Sequence, residues 1–476
     1  MTSFKLRATV AAVAGIALFG LAAGAKADST DDLLKKLRDK GVLSEQEYDE
    51  FNSTRDTEKA KKSSEIKASF KDGISWESGD KQHKFSVNGR VQLDYRSFSE
   101  ENATGTQTDT FDIRRAYLTA KGTFYNTYDF EVTYNGANAG GSDLLYAWMN
   151  ARYWEGLQFQ FGQFKQPMSM EELGSSRFIN FTERSFVTQL VPAVDRGIQI
   201  HGTPVKGLNY AVGVFNGVNV NGGQTANDTS TLTDGKAVTG RITTNIADFM
   251  DIKDAVYHLG ASYSRSNDNL GGSALSMRSE GRGTNIMTTG VLVTDYDLVR
   301  KGLEGAVAYG PVKLQAEYLK ATFEPGSGAT QVSTGGTTGD KDIKAWYASV
   351  NWLITGENYA STYKGGKFGE RIKPLNEFIT PGAPGFGAWD VGVRYSKFDA
   401  SDFTATDTTD VFNATGENGE FNEAHAWTVG LKWIPNPNVR YVLDYVKTDM
   451  ECVDNVANRC TNDQEKAINF RAQFDF

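Results

Sequence analysis

Spacings that carry enzyme chemistry are missing from this sequence. It holds no GxxxxGK[ST] phosphate loop, no GxSxG elbow and no HExxH zinc helix. The four histidines, His83, His201, His258 and His425, are scattered without ligand spacing. Of these, His201 and His258 are expected to face inward, neither with an evident partner for catalysis. The pair Glu171-Glu172 sits in a polar stretch and reads as solvated. No catalytic group, cofactor or metal site is expected. What remains is a repeated arrangement of bases and acids at every second position.

Residues 84–96 show it best. Phe85, Val87, Gly89, Val91, Leu93 and Tyr95 share one face, and Lys84, Ser86, Asn88, Arg90, Gln92, Asp94 and Arg96 the other. The same alternation returns over 128–134, 312–318 and 439–445. Period two means strands with one apolar and one polar face. Sixteen such strands can be placed, near 84–97, 110–124, 127–136, 142–154, 157–165, 194–203, 207–217, 236–247, 255–265, 299–309, 311–322, 343–354, 388–398, 425–434, 438–448 and 465–476. Many are about ten residues or longer, enough to cross a bilayer at a tilt.

Short turns (Pro204 to Gly207, Gly310-Pro311, Pro435-Asn436-Pro437) alternate with long polar loops at 97–109, 167–193, 218–234, 266–297, 322–341, 401–424 and 450–464. That asymmetry and the even strand count fit an antiparallel transmembrane β-barrel, its long loops outside the cell. One long connection, 355–387, falls on the short-turn side. Trp346, Trp352, Trp427 and Trp433 bracket strands, as interfacial rings do.

The 476 residues include 49 Gly and 12% aromatics, with mean hydropathy −0.44 and net charge −9. The low hydropathy excludes a bundle of apolar spanning helices. The acidic balance argues against nucleic acid as a partner. Lys5 and Arg7 precede an uncharged stretch ending in Ala25-Lys26-Ala27, so 1–27 reads as a secretory signal. Residues 28–66 read as a periplasmic helical extension and linker: Leu33, Leu34 and Leu37 on one helix stopped by Gly41, then a Ser44/Glu47 capping box opening a second helix with Tyr48 and Phe51. Residues 55–65 are expected to be linker, and 67–476 the barrel. Export places Cys452 and Cys460 in an oxidising compartment, where a disulfide between them is expected.

Several stretches resemble the phosphate-selective porin O and P family. They are Asp112-Ile113-Arg114-Arg115-Ala116-Tyr117-Leu118, Phe161-Gly162-Gln163-Phe164-Lys165, Glu171-Glu172-Leu173 leading to Glu183-Arg184-Ser185, Asp195-Arg196-Gly197-Ile198, Leu353 to Glu357, and Gly387-Ala388-Trp389 through Arg394-Tyr395-Ser396. The resemblance covers about 84–476. It implies a trimeric sixteen-stranded porin of the Gram-negative outer membrane. Such a porin passes small anions such as phosphate, with inward-folded loops narrowing a path lined by bases. The terminal Phe476 resembles the signal read by the outer-membrane assembly machinery.

The alternation puts Arg90, Arg96, Arg114, Arg241, Lys313, Arg394, Lys432, Arg440 and Arg471 in the lumen, against Asp94, Asp112, Asp129, Glu131, Glu304, Glu317, Asp390, Asp444 and Asp475. Nine bases face nine acids, a wall whose pairs could simply brace the barrel. Preference among ions then rests on the constriction. The loop 167–193, with Lys165 at its mouth, carries Arg177 and Arg184, expected to face the pore if its acids turn to the wall. The loop 266–297 adds Arg278 and Arg282 against four acids. Alternation sets Arg115 with Ile113 and Tyr117 on the outer face. The other readings are a general or sugar-selective porin, and a structural or adhesive surface barrel.

Overall fold

The structure, a computed structural model, describes residues 29–70, 73–100, 108–137, 143–217, 235–269, 276–288, 296–325, 340–379, 382, 384–403, 421–451 and 462–476. The signal segment, Cys452 and Cys460 lie outside these. Two compact units are present: Met1–Val87 with Ala120–Phe130, and Asn88–Thr119 with Glu131–Phe476.

Eighteen strands share one sheet. The first two, Ile66–Ser69 and Ile74–Ser78, form a hairpin, and the rest close into a sixteen-stranded antiparallel barrel. Its strands are β1 (Lys84–Glu100), β2 (Thr110–Phe124), β3 (Tyr128–Asn135), β4 (Asp143–Trp154), β5 (Leu157–Lys165), β6 (Val194–Val205), β7 (Leu208–Phe215), β8 (Ala237–Asn245), β9 (Ala255–Asn269), β10 (Tyr296–Tyr309), β11 (Val312–Pro325), β12 (Lys341–Leu353), β13 (Ala388–Asp399), β14 (Glu423–Asn436), β15 (Val439–Glu451) and β16 (Asp463–Asp475). All sixteen expected strands are present, most with ends shifted by one to three residues. Among the described residues no helix is long and apolar enough to cross a membrane.

In the first unit, α1 (Ser29–Asp39) ends at Gly41, whose φ of 69° only glycine adopts freely. In the capping box, the Glu47 N–H donates to Ser44 Oγ at 3.3 Å, and the Ser44 N–H donates to the Glu47 carboxylate at 2.9 Å. The second helix, α2 (Glu45–Ser64), runs through the stretch expected to be linker. That stretch mixes Arg, Glu, Lys and Ala, which are good helix formers, and holds no Gly or Pro to stop it. Phe85, Phe124 and Phe130 stack together, Phe85 also against Trp76.

The apolar faces point outward, as the alternation requires in lipid. Leu93, Leu303, Leu314, Val429 and Ile468 are each at least 49% exposed. Polar residues of the opposite face are buried inside: Arg394 and Arg471 are 1% exposed.

Closure comes from β16 pairing with β1, Asp475 opposite Arg90. Beyond the last pair, the Phe476 N–H donates to Gly89 O and the Gly89 N–H to Phe476 O, each at 3.1 Å. The Phe476 ring lies over Gly89, where a Cβ would sit 2.5 Å from it. An aromatic ring thus covers the gap a strand glycine leaves. Gly89→Val should eject that ring and reduce the fraction of chain showing heat-modifiable mobility on SDS gels. A wild-type fraction would show that closure does not depend on this contact.

Candidate functional site

The loop 166–193, between β5 and β6, lies inside the barrel. Met168, Met170, Phe186 and Val187 are at most 1% exposed. Irregular backbone so placed must find hydrogen-bond partners, because water is largely excluded. The wall supplies them. Glu317 accepts the N–H groups of Met170 (3.0 Å) and Glu171 (2.7 Å). Asp444 accepts the N–H (2.5 Å) and hydroxyl (2.7 Å) of Thr182. Arg471 donates to Thr182 O, Arg394 to Glu183 O and Arg300 to Leu190 O.

One aromatic fixes the loop from the other direction. Phe181 packs against Gly392 and Gly430, which pair directly between β13 and β14. A Cβ on either glycine would come within 3.1 Å of its ring. The Arg394 guanidinium stacks 4.8 Å from the ring centroid.

A second segment, 276–288, also enters the lumen, with Met277 and Ile286 fully buried. Its Glu280 accepts from Arg394 at 2.6 Å and from the Phe186 N–H at 3.0 Å, and is also bonded by Ser396. Glu465 on β16 accepts from Ser279 Oγ and the Thr284 N–H, both at 2.6 Å.

The third insertion comes from the short-turn side. The connection 355–387 carries a hairpin, Tyr363–Lys364 paired with Lys367–Phe368, turning at Gly365 and Gly366 with φ of 57° and 75°. Two positive φ values in succession are what glycine permits at a two-residue hairpin turn. Arg241 donates to Gly366 O at 2.6 Å and to Glu304 at 2.9 Å. His258 lies between the Tyr363 hydroxyl (2.7 Å) and Glu304 (3.1 Å). His201 likewise meets Asn150 at 2.9 Å. Both luminal histidines therefore have partners, though neither forms a catalytic array.

The expected bases divide by what holds them. Arg114 is bidentate on Glu183, at 2.7 and 3.2 Å, and Arg282 lies 3.6 Å from the same carboxylate. Burial pushes the Glu183 carboxyl up, but Arg114 and Arg282 outweigh it and hold it well below the usual range. Arg184 donates to the carbonyls of Glu171, Glu172 and Gly174 and pairs with Glu172. It is tied within the loop. Lys165 also pairs with Glu172, at 2.9 Å. Arg177 reaches Asn88 (3.2 Å) and Asp475 (3.5 Å). Lys313 donates to Asn180 at 2.7 Å, and Arg278 to Asn285 at 3.0 Å. Arg90 stacks on Tyr117 and Arg440 on Phe178. Of the loop acids, Glu183 turns to wall bases Arg114 and Arg471 and Glu171 to Arg394, but Glu172 stays with Lys165 and Arg184, so those two bases are not left free.

Arg115 departs from the alternation. Arg115 is 6% exposed, its guanidinium donates to luminal Gln92 at 2.9 Å, and Tyr117 meets inward Arg90. Ile113, expected on the same face, is 54% exposed on the outside. The inward face thus switches within β2, so both Arg114 and Arg115 reach the lumen. A guanidinium in lipid costs roughly 2–4 kcal/mol, and the switch avoids that cost.

Between the wall of β5–β8, the loop at Leu173 and the hairpin lies a cleft of about 260 Å³. Lys165, Arg241 and Lys367 line it, with His201 and a set of carboxamides and hydroxyls, and among the described residues no carboxylate lines it. Lys367 makes no ion pair among the described residues, unlike Lys165 and Arg241. Burial pulls its ammonium pKa down. Sequence reasoning did not single out Lys367, Phe181 or Glu465, and counted Glu280 only among the acids opposing Arg278 and Arg282. The glycine pair was a legible signal, since strand-interior glycines mark close approach.

Phe181→Ala or Gly430→Val should loosen the 166–193 loop, since a buried Phe→Ala change costs about 3–5 kcal/mol. Unitary conductance should then exceed wild type in both variants. Two wild-type conductances would show that this contact does not set the pore width.

The sequence profile of the family described as "Phosphate-selective porin O and P" matches residues 85–476. Porin O of Pseudomonas aeruginosa is 27% identical over 437 residues, covering 85% of this chain and 91% of that protein. Among solved structures, the outer membrane channel DcaP of Acinetobacter baumannii aligns with a TM-score of 0.48 at 12% identity, covering 83% of this chain and 97% of that one. A trimer form of the outer membrane protein OmpT of Vibrio cholerae aligns at 0.47 and 9% identity, covering 83% and 99%. A closed sixteen-stranded barrel with an apolar exterior, matched by the family over most of its length, is a channel and not an enzyme: the chain belongs to the phosphate-selective porin O and P family, in the outer membrane of a Gram-negative bacterium.

Proposed function

We propose that the channel passes small anions by passive diffusion, phosphate among them, and that it works as a homotrimer. One observation carries the anion preference. Among the described residues, the cleft beside the 166–193 loop is lined by Lys165, Arg241 and Lys367 and by no carboxylate. Many wall charges elsewhere offset one another, Arg96 with Asp94 (2.6 Å), Lys432 with Asp390 (2.8 Å) and Arg471 with Asp94 (2.7 Å), while Arg90, Arg440 and Lys313 rest against rings or a carboxamide. Paired charges cast little field beyond their own contact. An unpaired ammonium in a narrow, poorly screened passage attracts anions and repels cations. The name of the similar Pseudomonas family member, Porin O, and the family description agree with this reading.

The trimer rests on family membership alone. Arg115 gives it no support, because that guanidinium already has shelter in the lumen. Recognition by the assembly machinery is proposed through Phe476, at the end of β16. Crosslinking in native membranes should trap trimers that dissociate on boiling; monomer alone would refute the assembly.

Two charge reversals separate selectivity from scaffolding. Lys367→Glu breaks no ion pair among the described residues and adds a carboxylate near Glu131 and Glu370, so it should lower anion over cation permeability, read as a shifted reversal potential in a salt gradient. Arg184→Glu removes the donor to three loop carbonyls. It should raise conductance by loosening the loop while the sign of the preference persists. An unshifted reversal potential in Lys367→Glu would reject the cleft as the selecting element.

A further inference from the structure

The cleft's uncharged lining points past a simple ion. On β5 and β6, Gln199 donates to Gln160 at 2.6 Å. Asn150 on β4 donates to Gln158 at 2.9 Å, and Thr203 donates to Asn209 at 2.8 Å. A carboxamide offers two donor hydrogens and two acceptor lone pairs, and these contacts use only some of them. Among the described residues, two lining side chains hold a buried polar atom without a hydrogen-bond partner, Gln199 Oε1 and Thr243 Oγ1, which a solute meets once the side chain turns toward the cleft. Leaving such atoms unpaired in a confined site is costly, so a solute that pairs with them gains.

The type of missing partner matters. Gln199 Oε1 is an acceptor only, and needs an O–H or N–H from the solute. Chloride supplies none, and a phosphate dianion one at most. Pro167, Leu173 and Ala211 add an apolar side to the same cleft, fit to lie against C–H groups. The volume of about 260 Å³ falls just below the roughly 300–1,000 Å³ of drug-sized ligand pockets, which suits a solute about the size of a monosaccharide.

We propose that this cleft is a binding site for a small hydroxylated organic anion, a sugar acid or a sugar phosphate. Its anionic end meets Lys367 and the outer edge of the Arg241 guanidinium. Its hydroxyls bond Gln199, Gln160 and Thr243, and its carbon chain lies along Leu173 and Pro167. The proposal rests on the anion-channel reading above and adds the class of solute. It also accounts for the inserted hairpin, since Gly366, held by Arg241, brings Lys367 to the cleft from the short-turn side.

Solute residence in the purified channel tests it, read from current fluctuations in planar bilayers. The probes are gluconate, glucose 6-phosphate, hexanoate, glucose and inorganic phosphate. Gluconate should dwell about tenfold longer than hexanoate, the factor given by one net hydrogen bond of ordinary strength. It should also outlast glucose, which lacks the charge. Comparing gluconate with glucose 6-phosphate shows which anionic end the site prefers. Thr243→Val, nearly the same shape, and Gln199→Leu should bring the gluconate-to-hexanoate ratio toward one. Lys367→Gln should shorten all anion dwell times together. Equal residence of gluconate and hexanoate in the wild-type channel would overturn the proposal, and needs no variant to fold. A wild-type reversal potential without anion preference would instead remove the channel reading beneath it.

Discussion

Charge inside the barrel depends on pairing, and much of that pairing is with backbone. A buried carboxylate or guanidinium without a partner costs far more than a weak contact returns. A loop pushed into the lumen brings N–H and C=O groups with the same need. Here the two needs meet. Glu317 and Asp444 take loop N–H groups, while Arg394 and Arg471 supply loop carbonyls. The wall charges are therefore the seat of the 166–193 loop as much as the lining of a path.

The same exchange recurs at the other two insertions, which is why three segments can share one lumen. Glu280 reaches wall Arg394 and Ser396 and the 166–193 backbone at once, so segment 276–288 and that loop hold each other. Arg241 holds Gly366 and Glu304 together, and Glu304 also meets His258. Phe181 against the two glycines adds shape to what would otherwise be a purely polar fit. Dispersion in that seat fixes position where hydrogen bonds alone fix only reach.

The strands were legible because lipid allows few choices. One face must be apolar, and the period of two follows for ten or more residues at a time. The outward Leu93, Val429 and Ile468 sit where that pattern places them. The pattern fails at Arg114-Arg115, since alternation has no way to signal a change of face inside a strand. It is also silent on loops. Polar sequence reads as solvated surface whether it projects into water or folds inward, and only buried Met168, Met170 and Met277 hint at the difference. Helix α2 ran past its expected end for a related reason: charged residues are as common in helices as in linkers.

A wall of nine bases and nine acids suggests an unselective channel if charges are simply counted. Counting misleads because each paired charge is cancelled within a few ångströms, and the field a solute meets comes from what pairing leaves over. That remainder includes Arg90, Arg440 and Lys313 on the wall and Lys367 on the hairpin. Glu183 gathers Arg114, Arg282 and Arg471, so that dense basic region is partly spent on one carboxylate. Lys367 arrives on a separate segment, beside Arg241 and Lys165, with no acid in the lining. Reversing a paired wall base strands its acid and disturbs the loop that acid supports, so folding and selectivity change together. A base carried on an inserted hairpin escapes that coupling. On the proposed reading, the barrel keeps its braced wall fixed while the composition of one short turn tunes which solutes dwell.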